Sequence, residues 1–464
     1  MGIAAQTRIY LRRVHRRRST RLIFLLALLA AALEALYIHQ VIADGEAQRS
    51  VYAHGRRHLD AGTVAEDGDG GGGGGGEEAG RRTRRKKFYI TGLHFNNAKI
   101  LRSHWNDAVA GLADEFGADN VFVSVSESGS WDGTKAELAR LDRALADRGV
   151  RRRVEVSDVT HQDEMDRGIS SDDRVETPGG ERRLRRIPYL AALRNKVLED
   201  LARLADEGEH FDMVLFLNDV VFTTDDVLDL LDTNGGDFAA ACSLDFSRPP
   251  AYYDTFALRD SRGRPGMMHT WPYFRPGESR DALVTNLDAV PVRSCWNGIV
   301  AMPAAPFISS SSTSSSSSAA AASDGDGKPL RFRGIPNSLA AHHLEGSECC
   351  LIHADNPLSQ EATGGGGGGG VYLNPRVRVG YTGAAYDAVH PAGGGSWVPV
   401  WRILAGTWAA RLRGVVAPAL HWLADSRVRS RLRRWERDGG GAEPGWFCLI
   451  NEMQVLAARG WQHV

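Results

Sequence analysis

The chain has 464 residues, 42% hydrophobic and 24% charged, with a formal net charge of -1. That length accommodates one large or two ordinary domains, and the near-neutral balance gives no footing for a nucleic-acid or acidic-polymer partner. The five cysteines, Cys242, Cys295, Cys349, Cys350 and Cys448, form no CxxC pair, which argues against zinc, and their odd number leaves at least one thiol free or intermolecular. Neighbouring Cys349 and Cys350 do not readily bond to each other, so either is open to a distant partner.

A basic segment from Arg8 to Arg21 precedes an apolar run from Leu22 to Leu33, which Glu34 interrupts and Ala35 to Ile42 continues more weakly. With Glu34 near the far interface, this stretch spans a hydrocarbon core of about 30 Å. Its basic flank belongs on the cytosolic side. The expectation is a cytosolic basic tail over 1–21 and a transmembrane signal-anchor over 22–42. A cleaved signal peptide is the other reading of so short an apolar core. Residues 43–87, with Gly71 to Gly76 and the basic run Arg81 to Lys87, read as a flexible lumenal stalk.

From Phe88 the pattern alternates. Phe88 to Phe95 predicts a strand, and Asn97 to Phe116 a helix with Leu101, Trp105, Val109, Leu112 and Phe116 on one stripe. Val121 to Val125 predicts a strand, Lys135 to Arg148 a helix and Val154 to Val156 a strand. A polar loop covers Asp158 to Glu181, and Pro188 to Leu204 predicts another helix. Strands alternating with helices imply an α/β fold with a mostly parallel sheet. No GxGxxG or GxxxxGK[ST] follows these strands, which disfavours dinucleotide and P-loop chemistry.

The stretch Phe211 to Asp225, FDMVLFLNDVVFTTD, carries the strongest local signal. Met213 to Leu217 is a strand-length apolar run that stops at Asn218-Asp219. A polar pair at the carboxyl end of a buried strand is costly unless it binds something, and ligands of open α/β sheets sit at that edge. An Asn-Asp turn is the bland alternative. Thr223-Thr224-Asp225 supplies cap residues for a helix through Leu231. Further strands are expected at Ala239 to Leu244, Ile299 to Met302 and Val371 to Val379. Trp401 to Trp422 reads as helical, and Trp446 to Val464 is ambiguous. The Ser and Gly tracts mark insertions at 309–328 and 361–370 within a domain over 88–425, followed by a C-terminal extension over 426–464.

The runs FYITGLHFNN, ESGSWDGTK, LRNKVLEDL, VLFLNDVVFTTDDVLDLL, CSLDFSRPPAYYDTFALRDSRG, WPYFR, PVRSCWNGIVAM, LRFRGIPNSLAAHHLEGSECCLIHADNPL and VYLNPRVRVGY cover most of Phe88 to Tyr381. On these, the chain resembles the fungal capsule-associated α-1,3-mannosyltransferases, glycosyltransferase family 69. The resemblance implies a GT-A-like, Rossmann-type domain with helices on both sheet faces, lumenal in the Golgi as a single-pass type II membrane protein. It implies GDP-mannose as donor, a mannose-containing glycan as acceptor, an α-1,3 linkage formed with retention, and Mn²⁺ or Mg²⁺ on the diphosphate. Its product would be capsule or cell-wall polysaccharide or a glycoconjugate. A non-catalytic glycan-binding member, or the same fold using a donor such as UDP-xylose, are the rival functions.

Roles follow from residue chemistry. Asp219 is the expected metal ligand, because hard cations take carboxylate oxygen. Asn218 supports it, and the resemblance to GT-A enzymes implies His353 as a distal ligand, with a hydrogen-bonded core histidine as the alternative. Arg194 is assigned to the diphosphate, since a guanidinium forks across phosphate oxygens; a surface charge is its alternative. Glu127 and Asp132 are candidates for donor hydroxyls, with Asp132 equally a helix cap. Asp245 is a candidate contact to the transferred mannose, or a turn residue. Trp296 and Asn297 are candidate acceptor walls. Glu345 and Glu348 are the candidate carboxylates for acceptor activation or nucleophilic attack, undecided between them and against a paired surface charge.

Overall fold

The computed structural model describes residues 21–22, 25–26, 28–40, 86–166, 174–177, 179–285, 287–308, 328–363, 369–392, 397–416 and 418–464. Nearly all of the basic tail and of the stalk, part of the anchor, most of the 309–328 insertion and half of the 361–370 insertion lie outside the described residues. Among the described residues, no helix is long and apolar enough to cross a membrane.

The strands are β1 (Phe88–His94), β2 (Val121–Glu127), β3 (Arg151–Glu155), β4 (Arg174–Glu176), β5 (Arg182–Leu184), β6 (Met213–Leu217), β7 (Ala240–Arg248) and β8 (Ala251–Tyr252). They continue with β9 (Arg259–Asp260), β10 (Val290–Ser294), β11 (Ile299–Pro303), β12 (Glu345–Gly346), β13 (Val371–Gly380), β14 (Leu449–Ile450), β15 (Gln454–Ala457) and β16 (Gly460–His463). A 10-stranded sheet runs β3-β2-β1-β6-β11-β7-β13-β10-β9, with β8 beside β7. Strands β3, β2, β1 and β6 are mutually parallel. Strand β11 enters antiparallel between β6 and β7, and β13 is again parallel to β7.

The principal helices are α1 (Asn106–Phe116), α2 (Thr134–Asp147), α3 (Arg186–Lys196), α4 (Glu199–Asp206), α5 (Thr224–Leu231), α6 (Glu348–Asp355), α7 (Gly383–Val389), α8 (Val400–Val416) and α9 (Pro418–Trp435). Strand side chains alternate faces with period two. Phe88, Ile90, Met213, Leu215 and Leu217 therefore join Leu112, Leu138 and Val227 in one core. Tyr89, Val214 and Phe216 point the other way, into a core with Leu201, Trp296 and Leu351. Strand β6 is buried on both faces, which is why its sequence is an unbroken apolar run rather than an alternating one.

Several local expectations change: the strand expected at Val154 to Val156 is β3, and the helix expected over Trp401 to Trp422 is α8 followed by α9. The helix expected over Pro188 to Leu204 is two helices, α3 and α4, and the Tyr89 hydroxyl donates to the Val197 carbonyl at the break, 2.6 Å away. The polar loop after Asp158 contains a short helix, His161–Asp166, and the hairpin β4–β5. The ambiguous C-terminus folds back into the body. There β14 pairs with β12, and the buried Arg259 donates to the Phe447 carbonyl at 2.8 Å.

Two disulfides form, Cys242–Cys295 and Cys350–Cys448, leaving Cys349 as a buried free thiol. The first ties β7 to the entrance of β11, and the second ties α6 to the C-terminal return. Such bonds belong to oxidising compartments.

Candidate active site

The sheet topology gathers one polar edge. The carboxyl ends of β1, β2, β6, β7 and β13 lie there, together with the amino end of antiparallel β11. Register places Leu217 opposite Ile299, Asp245 opposite Val379 and His94 opposite Glu127. After β6 the chain crosses toward β13, where the Val221 amide donates to the Gly380 carbonyl at 2.6 Å. Gly298 makes this crossing compact. Its φ is +93°, and a Cβ there would stand 2.3 Å from Val379 Cγ2, so only glycine fits.

Asn218 and Asp219 occupy this edge as the apolar-run reading anticipates, but they are held differently. The Asn218 side-chain oxygen accepts from Trp296 Nε1 at 3.2 Å, and its backbone carbonyl accepts from Trp105 Nε1 at 3.0 Å. Its amide oxygen is therefore already engaged. Asp219 Oδ2 accepts from Asn97 Nδ2 at 2.8 Å. Burial pushes the Asp219 carboxyl up to about 6, against the hydrogen bonds from its own backbone and Asn97 and the nearby Arg194 charge. Next on the chain, Thr223 caps α5 in a reciprocal box with Asp226, so the cap partner is Asp226 and not Asp225.

Arg194 projects from α3 into the same region. Its guanidinium lies 4.7 Å from the centroid of the Trp296 ring, and its Nε donates to Glu348 Oε1 at 3.1 Å. Arg194, Asn218, Phe216, Leu217, Thr91, Gly92, Leu93 and Val197 line a cleft. Thr91 Oγ1 is buried there without a hydrogen-bond partner, and His94 Nε2, also unpartnered, lies on the opposite face of β1 with its ring packed on Trp105. Burial lowers His94 to about 4.

Asp245 is fully buried. Its Oδ1 accepts from Asn297 Nδ2 at 2.8 Å and from the Asp254 amide at 3.2 Å, and its Oδ2 accepts from the Tyr381 hydroxyl at 3.1 Å. Burial and the neighbouring Asp254 carboxylate raise Asp245 to about 7. Asp254 is raised as well, by burial first. The Tyr381 hydroxyl sits in the field of Asp245, Asp219 and Asp254, which with burial raises it well above a free phenol. Its ring contacts the exposed Tyr253, with centroids 4.6 Å apart. Both Asp245 oxygens are engaged, so the expected direct contact to a sugar gives way to a carboxyl that positions Tyr381.

Four further candidates are engaged within the fold, two of them, Asp132 and His353, along their alternative readings. Glu345 is fully buried in a two-pronged pair with Arg185, with contacts of 2.6 and 3.2 Å, and Arg185 also donates to the Ile335 carbonyl and to Asn337. Both carboxylate oxygens are occupied, so Glu345 is structural, whereas Glu348 faces Arg194. Glu127 accepts from the amides of Ser130 and, at 3.0 Å, Ser157. It organises its own loop rather than a donor. Asp132 accepts from the Thr134 amide at 2.9 Å and the Ala98 amide at 3.1 Å, so it ties the start of α2, whose N-cap position is Gly133, to the chain at Ala98. His353 is buried in α6 with Nε2 2.7 Å from the Cys295 carbonyl. Its cluster partners are Cys242 and Cys295, whose sulfurs are consumed in a disulfide.

Trp296 and Asn297 are buried behind the edge. Trp296 supports Arg194 and Asn218, and Asn297 bridges Asp245 to the Asp254 carbonyl at 3.0 Å. Sequence reasoning missed Asn97, Asp254 and Tyr381. Tyr381 closes the motif VYLNPRVRVGY, a polar aromatic at a strand end, which is the same signal that marked Asp219.

Among the described residues, no group of three or more His, Cys, Asp or Glu side chains includes Asp219. The donor set therefore fits no all-protein cage. It does fit Mg²⁺ or Mn²⁺ in a nucleotide site, where one or two carboxylates suffice and substrate phosphates and water supply the rest.

The family model described as "Cryptococcal mannosyltransferase 1" matches residues 87–355, more than half of the chain. No curated protein matches. Among solved structures, the chain is similar to the mannosyltransferase PcManGT from Pyrobaculum calidifontis in complex with GDP-Man and Mn²⁺, at 11% identity over 89% of each chain and a TM-score of 0.32. It is similar to Staphylococcus aureus TarS 1–349 in complex with UDP, at 10% identity over 63% of this chain and 59% of that one, with a TM-score of 0.30. It is also similar to glucosyl-3-phosphoglycerate synthase from Mycobacterium tuberculosis, in complex with Mn²⁺, UDP and phosphoglyceric acid, at 13% identity over 74% of this chain and 84% of that one, with a TM-score of 0.30.

Proposed function

This chain belongs to the cryptococcal mannosyltransferase 1 family, and on that premise we propose that it transfers mannose from GDP-mannose to a mannose-containing glycan. The bond formed is an α-1,3 linkage with retention, and the body is a GT-A-type domain facing the secretory lumen. A single N-terminal span holds it in the Golgi membrane; exposed leucines of the described N-terminal helix, such as Leu29 and Leu36, support that placement.

The observation that carries the enzymatic reading is Asp219. A carboxylate at the end of a buried strand, raised by burial and held by one amide, is poised to gain from a divalent cation. Asp219 would hold Mn²⁺ or Mg²⁺ without help from His353. The cation, when bound, acts as a Lewis acid on the diphosphate leaving group. Arg194, stacked on Trp296 and oriented by Glu348, presents fixed positive charge to the phosphates. Tyr381, oriented by Asp245, offers its hydroxyl to the sugar side of the same edge.

The test is a screen of sugar nucleotides with α-mannoside acceptors and Mn²⁺, followed by linkage analysis of the product. GDP release from GDP-mannose with a new α-1,3-mannosidic bond is the expected result. Measurable glycan binding without GDP release from any acceptor would leave a non-catalytic glycan binder. Turnover of UDP-xylose alone would move the donor assignment. Extraction of the full chain from Golgi membranes by detergent but not by alkaline carbonate is the outcome expected of the span.

A further inference from the structure

Helix α8 has two apolar stripes, and only one is docked. Ile403 and Ala410 are buried, and between them Gly406 meets the Trp271 carbonyl so closely that a Cβ would lie 2.2 Å from its oxygen. On the other side, Trp401, Trp408 and Leu412 are 63%, 41% and 68% exposed. These positions are i, i+7 and i+11, which share one helix face. On α9, Trp422 and Leu423 are likewise 68% and 45% exposed.

These helices are strongly basic. Between Val400 and Trp435 the sequence holds eight arginines and one aspartate. Arg402 lies 5.1 Å over the Trp401 ring and Arg411 lies 4.9 Å over the Trp408 ring. Arg411 also pairs with Glu34, which sets α8 against the N-terminal apolar helix.

We propose that the exposed face of α8 and α9 lies on a phospholipid bilayer, with its tryptophans at headgroup depth and its arginines on lipid phosphates. Tryptophan concentrates at membrane interfaces, and amphipathic helices rich in Trp and basic residues lie in the interface plane. Guanidinium groups match phosphate geometry. Contact with the N-terminal helix places this face where that helix meets lipid. A second copy of the chain is a poorer occupant, because an isologous contact would set the same arginine-rich face against itself.

The surface goes beyond the catalytic reading and is tested separately from it. The full-length chain is reconstituted into vesicles of phosphatidylcholine with a minor share of phosphatidylserine. The vesicles carry a phospholipid with a photoactivatable group near its headgroup, and adducts are mapped by mass spectrometry. The expected result is lipid adducts on peptides spanning Trp401 to Leu412. They are lost in a Trp401→Ser, Trp408→Ser, Leu412→Gln variant whose melting temperature matches the parent. Adducts confined to the N-terminal helix would retain the anchor and overturn the docking, and adducts on α8 alone would do the reverse. Cross-links joining α8 of two copies in detergent, with no lipid adduct in vesicles, would assign the face to self-association and overturn the proposal.

Discussion

Two buried carboxylate regions share their burial and differ in their chemistry. Around Glu345 the chain closes on itself, with Arg185 taking both oxygens and its remaining donors taken by Ile335 and Asn337. Arg194, the charge acting on Asp219, is hydrogen-bonded elsewhere, to Glu348, while Asp245 is met by Asn297 and Tyr381. Burial raises the carboxyl in both regions. A raised carboxyl by itself therefore does not mark a working site. What separates the two is whether a matched counter-charge completes the hydrogen bonding, and at the sheet edge it does not.

The largest effect on stability should come from the closed region. Glu345→Gln leaves Arg185 buried and uncompensated, a loss of about 3–5 kcal/mol, read by denaturant unfolding. A loss below 1 kcal/mol would mean that the pair is not the structural element its geometry implies. Opening Cys242–Cys295 by paired Ala substitution is expected to cost about 2–4 kcal/mol, measured the same way. That disulfide sits behind the open region, so GDP release per folded molecule should fall along with stability.

A smaller effect sharpens the open side. Tyr381→Phe removes one hydrogen bond to Asp245, worth about 0.5–1.5 kcal/mol. If Asp245 acts through Tyr381, the pH profile of GDP release shifts while the melting temperature barely moves. An unchanged profile would reduce the tyrosine to packing.

The pH response of stability should be the subtlest. Asp245 has a folded value of about 7 against an ordinary 3.8. Across that window the folded chain holds a proton that the unfolded chain has released, so this group's contribution to stability declines as pH rises. Asp245→Asn should remove the decline, gaining on the parent as pH is raised through the window in thermal melts. His94 and His353 act in the opposite sense. Their folded values near 4 lie below the ordinary 6.5, so acidification across that interval favours the unfolded chain.

The sequence was readable where one segment carries the whole signal. Strand β6 with its abrupt Asn218-Asp219 end, the Thr223 cap and the stripe of α1 all follow from periodicity and local chemistry. It was unreadable where meaning depends on a distant partner. Glu345 and Glu348 stand three positions apart in the same motif, and nothing local separates them. Arg185 claims one and Arg194 the other, from successive parts of one helical region. His353 is a candidate ligand only through the family resemblance, and its true neighbours, Cys242 and Cys295, lie far from it in sequence. Tyr381 reaches Asp245 across 136 residues, a separation no spacing rule covers.

The most direct test compares Asp219→Asn with Glu345→Gln in one GDP-release assay at saturating Mn²⁺, each normalised to its folded fraction. The account predicts that Asp219→Asn keeps its melting temperature and loses at least about a hundredfold in turnover, as the loss of a Lewis acid worth several kcal/mol requires. Glu345→Gln loses stability but retains turnover per folded molecule. Full activity in Asp219→Asn would contradict the assignment of the open edge as the donor-metal site.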